Sequence, residues 1–324
     1  MVATISMTLT GKREKVSSTM RKGHGTRLGF RGRNLIVALA LMVPVAALGI
    51  ASPALATPKG VYARFAQCPT EVPGVELCQY GETTSGEFAI GSTKVPINKT
   101  IILQGGALYS GTSNIFYLLP AKNGESLSKT ELNVPGGLLD IVNCEEIKGN
   151  GLWEIVERAT CKAIFENKTT GVTATTEIVA NEHNPGILDL TNLFSEKETA
   201  ITLPVRVHLK NPLLGESCYI GSESSPIQLH LTTGTTSPPA PNKPISGSRG
   251  ELSTEEEVLV FNKNSLVDNA FSVPVAEGCG GFFSFLIDPV VDSKLGLPSA
   301  AGKNTAILTG SLRSVSAEAV VNSE

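Results

Sequence analysis

The chain has 324 residues, of which 41% are hydrophobic and only 5% are aromatic, with 27 Lys and Arg against 30 Asp and Glu. Residues 1–56 hold eight of the basic residues and one acidic residue, so the rest of the chain has a formal charge of 19 − 29 = −10. A net-acidic chain without a basic cluster repels phosphate groups, which argues against nucleic acid and anionic lipid as partners.

A leader for export is the first predicted element. Basic residues 1–33 precede a largely apolar run that ends in the small-residue triplet Ala54-Leu55-Ala56. This order is typical of a secretory signal peptide over residues 1–56, with cleavage between Ala56 and Thr57. No later segment reaches the ~18 apolar residues of a membrane helix, so we predict a secreted, extracellular protein with no membrane span. Met20 is an alternative start that gives a shorter leader.

Six cysteines follow the predicted cleavage site: Cys68, Cys78, Cys144, Cys161, Cys218 and Cys279. An even number in an exported chain predicts three disulfides, although six cysteines allow 15 pairings. We expect pairing in chain order, which gives Cys68–Cys78, Cys144–Cys161 and Cys218–Cys279. No CxxC pair occurs, so we predict neither a metal nor a cofactor.

Short strands and turns dominate the first half of the predicted mature chain. Residues 86–110 alternate apolar and polar side chains, with Pro96 and the Gly105-Gly106 pair as turn signals, and predict two or three strands. Apolar side chains three and four residues apart predict a short amphipathic helix over residues 152–159. The single tryptophan, Trp153, lies on that helix, where a core position is favoured over a ligand platform.

The second half continues with strands. In the predicted strand 202–210, Val205, Val207 and Leu209 face one way and Arg206, His208 and Lys210 the other, and residues 226–234 show the same alternation. These two strands suit neighbouring antiparallel positions. The Pro-rich residues 233–250 are either a linker or a surface loop, and the expected Cys218–Cys279 bond favours the loop.

Near the end of the chain we predict a helix with Asp288 as its N-cap, Pro289 in its first turn and Gly296 as its stop. A last strand over residues 303–312 precedes a tail that we expect to be loose. The whole pattern predicts a mostly β fold, with antiparallel β-sandwich-like modules over residues 57–200 and 201–324, or one continuous domain. Weak internal similarity, such as Cys78-Gln-Tyr-Gly81 and Cys218-Tyr-Ile-Gly221, supports two modules.

Histidines and carboxylates offer few candidate sites. His208 and His230 lie on the polar faces of strands that can pair, so they are candidates to share a metal, but two separate exposed histidines are the favoured interpretation. His183 precedes Asn184-Pro185-Gly186 and is interpreted as a turn residue. Neither GxSxG, HExxH nor a phosphate-binding or dinucleotide glycine motif occurs.

Several segments resemble a group of exported actinobacterial proteins without an assigned activity. The similar segments include residues 218–222 (CYIGS), 231–239 (LTTGTTSPP), 279–281 (CGG) and 295–312 (LGLPSAAGKNTAILTGSL). The resemblance implies export from a high-GC Gram-positive cell, and it transfers no catalytic or binding residue.

We therefore expect an exported, non-catalytic surface or extracellular matrix protein, with a cell-wall or extracellular glycan as one candidate partner. A second hypothesis is a module that binds a glycan or a small apolar ligand near Trp153 or near Phe282–Phe285. A third is a hydrolase with two converging carboxylates, for which the chain has many candidates.

Overall fold

The computed structural model describes residues 57–112, 114–137, 151, 155 and 171–324. These residues all belong to one compact unit. The predicted leader with its cleavage site after Ala56, the Cys144–Cys161 pair and the helix with Trp153 lie outside the described residues.

Antiparallel β-strands make up most of the described chain, which confirms the predicted fold class. Fourteen strands are described: β1 Val75–Ile90, β2 Thr93–Ile97, β3 Ile101–Tyr109, β4 Ile115–Leu119, β5 Leu132–Val134, β6 Val172–Ile178, β7 Ile187–Asp189, β8 Ile201–Lys210, β9 Tyr219–Ile220, β10 Ile227–Leu231, β11 Glu251–Glu255, β12 Val258–Asp268, β13 Ala276–Glu277 and β14 Thr305–Ser316.

Helices are few and short in the described chain. They are the α-helices α1 Leu190–Ser195, α2 Ser284–Leu295 and α3 Ala317–Asn322, and the 3-10 helices Gly60–Phe65 and Gly281–Phe283. None of the described helices has both the length and the apolar character needed to cross a membrane.

The sheet closes on itself, because strands at the two ends of its path are hydrogen-bonded to each other. Neighbouring strands pair in the order β12-β14-β1-β3-β4-β7-β8, and β8 also pairs with β10. Thr232, the residue after β10, exchanges backbone hydrogen bonds of 2.9 Å with Val267 in β12, which joins the two ends of this path. The result is a closed ring of strands whose inner faces enclose an apolar interior.

Side-chain alternation follows the sequence pattern in the two amphipathic strands. Leu203 of β8 lies opposite Leu229 of β10, and both side chains face the interior. On the opposite face of β8, the Arg206 guanidinium is 2.8 Å from the Glu177 carboxylate of β6. The predicted antiparallel pairing of these two strands is therefore confirmed.

Two of the predicted disulfides are present, Cys68–Cys78 and Cys218–Cys279. Strands β1 and β14, which come from the two predicted modules, pair from Leu77 opposite Ser316 to Ala89 opposite Thr305. The sheet is thus shared by both halves of the chain, while their division into modules 57–200 and 201–324 stays a prediction.

Two details of the C-terminal prediction are wrong. Helix α2 begins at Ser284, before Asp288, so Pro289 lies inside the helix and not in its first turn. Asp288 does not cap the helix and instead accepts hydrogen bonds from the backbone N–H groups of Gly278 and Cys279. The expected loose tail forms α3, whose N-cap Ser316 accepts from the Ala319 N–H. The tail is ordered because Val320 packs into an apolar cluster with Phe65.

Candidate functional site

A cavity of about 650 Å³ opens to solvent beside β3 and β4, between residues 120–129 and the β6–β7 connection. Its volume falls within the ~300–1,000 Å³ of typical small-molecule sites. The walls combine polar side chains such as Gln104, Asn123, Ser126 and Asn181 with a larger apolar surface that includes Leu103, Leu118, Leu127, Ile178, Leu203 and Leu312. Leu203 of β8 and Leu312 of β14 come from different sides of the ring, so the closed path of strands contributes to the cavity.

Two glycines allow strands and loops to approach closely at the mouth. Gly105 has φ +153°, and a Cβ there would lie 2.3 Å from the carbonyl oxygen of Leu119. A Cβ on Gly106 would lie 2.9 Å from the Pro69 ring. The sequence pattern assigned this pair to a turn, whereas both residues lie inside β3, where they bring β4 and the Cys68–Cys78 loop against the strand.

The apolar space continues deeper into the ring. A second cavity of about 70 Å³ shares Leu103, Leu127 and Leu203 with the first. A third cavity of about 50 Å³ shares Phe88 with the second and ends against Leu295 of α2. The three cavities therefore follow one another through the apolar interior.

Charged side chains lie at the mouth of the main cavity. Lys129 Nζ donates a 2.6 Å hydrogen bond to Glu125 Oε1, and this bond raises the pKa of Lys129. Glu177 forms its ion pair with Arg206, and Glu182 is exposed at the rim. Three glutamates and one lysine are among the described lining residues, but Lys129 and Arg206 pair with Glu125 and Glu177, so the surplus negative charge at the mouth is that of Glu182.

Gln79 is the one buried polar residue among the described lining of the main cavity. Its side chain is only 4% exposed and belongs to the cavity lining. Gln79 Nε2 donates to Ser314 Oγ at 2.7 Å, while Gln79 Oε1 is buried with no hydrogen-bond partner among the residues that the structure describes. Buried polar atoms without a partner are rare, so this oxygen marks a position with unused binding capacity.

The structure does not bring the two candidate histidines together. His230 lies opposite Thr202 of β8, whereas His208 lies six residues further along that strand, a separation of about 20 Å at ~3.3 Å per residue. His208 is buried and stacks on Tyr219 at 4.4 Å between ring centroids, whereas His230 is exposed, so the interpretation of two exposed histidines is wrong for His208. The described residues contain no group of three or more potential metal ligands. His183 lies in an exposed bend, where its N–H donates to Asn181 Oδ1.

The phenylalanines proposed as a ligand platform lie elsewhere. Phe282, Phe283 and Phe285 are 88%, 58% and 69% exposed, and none of them lines one of the three cavities. They form an outward-facing aromatic patch at the start of α2. The other proposed platform, Trp153, lies outside the described residues.

Sequence reasoning missed the cavity because alternation shows which side chains point inward but not whether they fill the interior. The available signal was the presence of glycines inside strands, since strand glycines mark close approach of backbone or ligand. Gly81 of β1 and Gly105 of β3 both line this interior.

Compared with known protein families, curated proteins and solved structures, the chain matches none. The cavity and its surroundings are therefore the features that indicate a function.

Proposed function

We propose that this chain is an exported, non-catalytic protein that binds a small apolar ligand in the cavity of the strand ring. The observation that carries the proposal is the aliphatic wall around about 650 Å³ of open space. Apolar side chains that face an unfilled space lose packing contacts, and a hydrocarbon ligand restores them.

An apolar ligand fits the walls better than a glycan does. Sugar hydroxyl groups need hydrogen-bond partners when they leave water, and glycan sites commonly offer aromatic faces as well. Tyr117 is the one aromatic residue that lines the main cavity among the described residues, and it is 42% exposed. Apart from Gln79 and glycines, the buried lining residues are Leu188, Ile201, Leu203 and Leu312.

Binding is also favoured over carboxylate-based hydrolysis. A glycosidase requires one carboxylic acid that stays protonated until it protonates the leaving group. At the mouth, however, Glu125 pairs with Lys129 and Glu177 pairs with Arg206. Each of these carboxylates is already engaged by a cation, which suits a structural role for the two glutamates.

An extracellular location is part of the same proposal. It is supported by the basic and apolar leader and by the disulfides Cys68–Cys78 and Cys218–Cys279, since such bonds persist in oxidising compartments. A surface or matrix protein, the first expectation from the sequence, is compatible with ligand binding in the same environment.

The test is a substitution that blocks the cavity with a larger side chain. Leu127 is partly buried and lines both the first and the second cavity, so Leu127→Trp places a large side chain across the path inward. We expect a fluorescent apolar probe such as 1-aminoanthracene to bind the oxidised wild-type protein and to bind this variant roughly tenfold or more weakly, a loss of about 1.4 kcal/mol.

Leu252→Trp is the matched control because Leu252 lies on edge strand β11 and is 45% exposed. This control should bind the probe as the wild type does, and the thermal unfolding of all three proteins should be compared. An equal affinity in the wild type and Leu127→Trp, or no probe binding to the wild type, would contradict the proposed function.

A further inference from the structure

We infer that the ligand is an uncharged amphiphile with a hydroxyl head group and a hydrocarbon chain, and that its hydroxyl donates a hydrogen bond to Gln79 Oε1. This inference depends on the proposed binding function and adds the chemical class of the ligand. It combines three observations: a buried acceptor with no partner in the described part of the chain, an aliphatic path inward and a mouth whose cations, Lys129 and Arg206, already pair with glutamates.

The acceptor is held in place by its own neighbours. Gln79 lies on β1 between Ser314 of β14 and Gly105 of β3. Because Nε2 is fixed by its bond to Ser314 Oγ, the amide plane is oriented and Oε1 remains the atom without a described partner. A carbonyl oxygen accepts hydrogen bonds only, so the complementary group on a ligand is an O–H or N–H donor.

The surroundings select an uncharged donor. A carboxylate head group has no proton to donate, and the cations at the mouth, Lys129 and Arg206, are already paired with Glu125 and Glu177. An ammonium group would donate, but moving a charge to a position beside buried Gln79 carries a large desolvation cost without a carboxylate partner there. A hydroxyl group donates without a charge.

The rest of the ligand follows the aliphatic walls. Leu103, Leu203 and Leu312 line both the main cavity and the second cavity, so a hydrocarbon chain can remain in contact with apolar side chains along this path. A chain oriented in this way lies in apolar surroundings while its hydroxyl meets Gln79. Each part of the ligand then contacts a surface of matching polarity.

The experiment compares three ligands that share a twelve-carbon chain: dodecan-1-ol, its methyl ether and dodecanoate. Each is used to displace 1-aminoanthracene from the wild type, from Gln79→Leu and from Gln104→Leu. Gln104 is a matched control because it also lines the cavity but its Nε2 already donates to the Glu125 carbonyl oxygen at 3.0 Å.

We expect the ratio of alcohol affinity to ether affinity to be about two- to tenfold larger in the wild type and in Gln104→Leu than in Gln79→Leu. A factor of this size corresponds to the contribution of one hydrogen bond. The comparison of the two ligands in each protein cancels their different solubility in water. Dodecanoate should bind the wild type more weakly than the alcohol does.

Equal preference in the wild type and Gln79→Leu, or strongest binding of dodecanoate, would overturn the assigned head group while leaving the proposed function intact. Failure of every ligand and of the probe to bind the wild type would instead reject the proposed function. If Gln79→Leu does not fold, Gln79→Met replaces it, and an alcohol that binds the wild type no better than its ether overturns the inference without any variant.

Discussion

Asp268 is a buried carboxylate at the position where the ring of strands closes. It is 2% exposed, and it accepts hydrogen bonds from the backbone N–H groups of His230 at 2.7 Å and Ala270 at 2.9 Å. It directly follows Val267, whose backbone pairs with Thr232. Burial raises the pKa of Asp268, and the two hydrogen bonds oppose that shift. The carboxylate thus joins β10 to β12 at the cost of its own hydration.

The raised pKa predicts how stability depends on pH. The folded state holds the Asp268 proton more tightly than the unfolded state, whose pKa is near 3.8. The contribution of Asp268 to the free energy of unfolding is therefore greatest below pH 3.8 and is lost as the pH rises through the folded-state pKa. An asparagine side chain does not titrate, so the stability of Asp268→Asn relative to wild type should increase over this range.

Chemical unfolding at several values between about pH 3.5 and 5.5, below the ordinary titration of histidine, measures this difference. The variant also loses one hydrogen-bond acceptor, since an amide group replaces a carboxylate. This loss lowers the free energy of unfolding of the variant by the same amount at every pH. The slope is therefore the informative quantity. A difference that stays constant with pH would show that the pKa of Asp268 is not raised on folding.

At the same scale, the sequence identified residue types better than their surroundings. The pairs Cys68–Cys78 and Cys218–Cys279 were predicted because short and long cysteine loops are visible in the chain. Gln79 was not predicted as a binding residue, since its importance comes from Ser314, which lies 235 residues away in the chain. Only the paired strands place these two side chains together.

Elements with a strong local pattern were predictable. Strands β8 and β10 alternate apolar and polar side chains, interrupted only by Pro204, and the apolar face of each is buried. Residues 233–250 form the predicted loop, with Thr235 bridging to Ser246, because their prolines cannot join inner strands. Helix α3 was missed because six residues carry little intrinsic helical preference, and its stability comes from packing against Phe65.

The exposed aromatic patch at the start of α2 is separate from the cavity. We expect the double variant Phe282→Ser/Phe285→Ser to change the free energy of unfolding by no more than ~0.5 kcal/mol, because both side chains are mostly in water. Probe binding should also be unchanged, since neither residue lines the cavities. Thermal unfolding and the displacement assay measure the two effects.

Phe261→Ser is the buried counterpart, because Phe261 is 0% exposed and contacts Phe194 with ring centroids 5.1 Å apart. The free energy of unfolding of this variant should fall by about 3–5 kcal/mol or more, as it does for large truncations in a core. Weaker probe binding by the Phe282→Ser/Phe285→Ser variant would contradict this prediction and would indicate that the aromatic patch is part of the ligand site.

At the scale of the whole molecule, fold class was predictable and topology was not. Strand composition and turn residues indicated antiparallel β-structure, but the pairing of β1 with β14 joins residues more than 200 positions apart. Such long-range registers leave no local pattern, since many apolar strands are compatible with each other. The cavity depends on these registers, so it also required the structure.

The two described disulfides constrain very different lengths of this topology, and their removal should show it. Cys68–Cys78 spans 10 residues and Cys218–Cys279 spans 61. Loop-closure entropy predicts losses of about 3 and about 4 kcal/mol for the corresponding double alanine variants. All four cysteines are buried, so the packing losses are similar and the difference reports loop length. Denaturant unfolding of both variants measures it, and an equal or larger loss for the shorter loop would mean that packing around Phe65 and Tyr80, rather than chain entropy, governs the N-terminal bond.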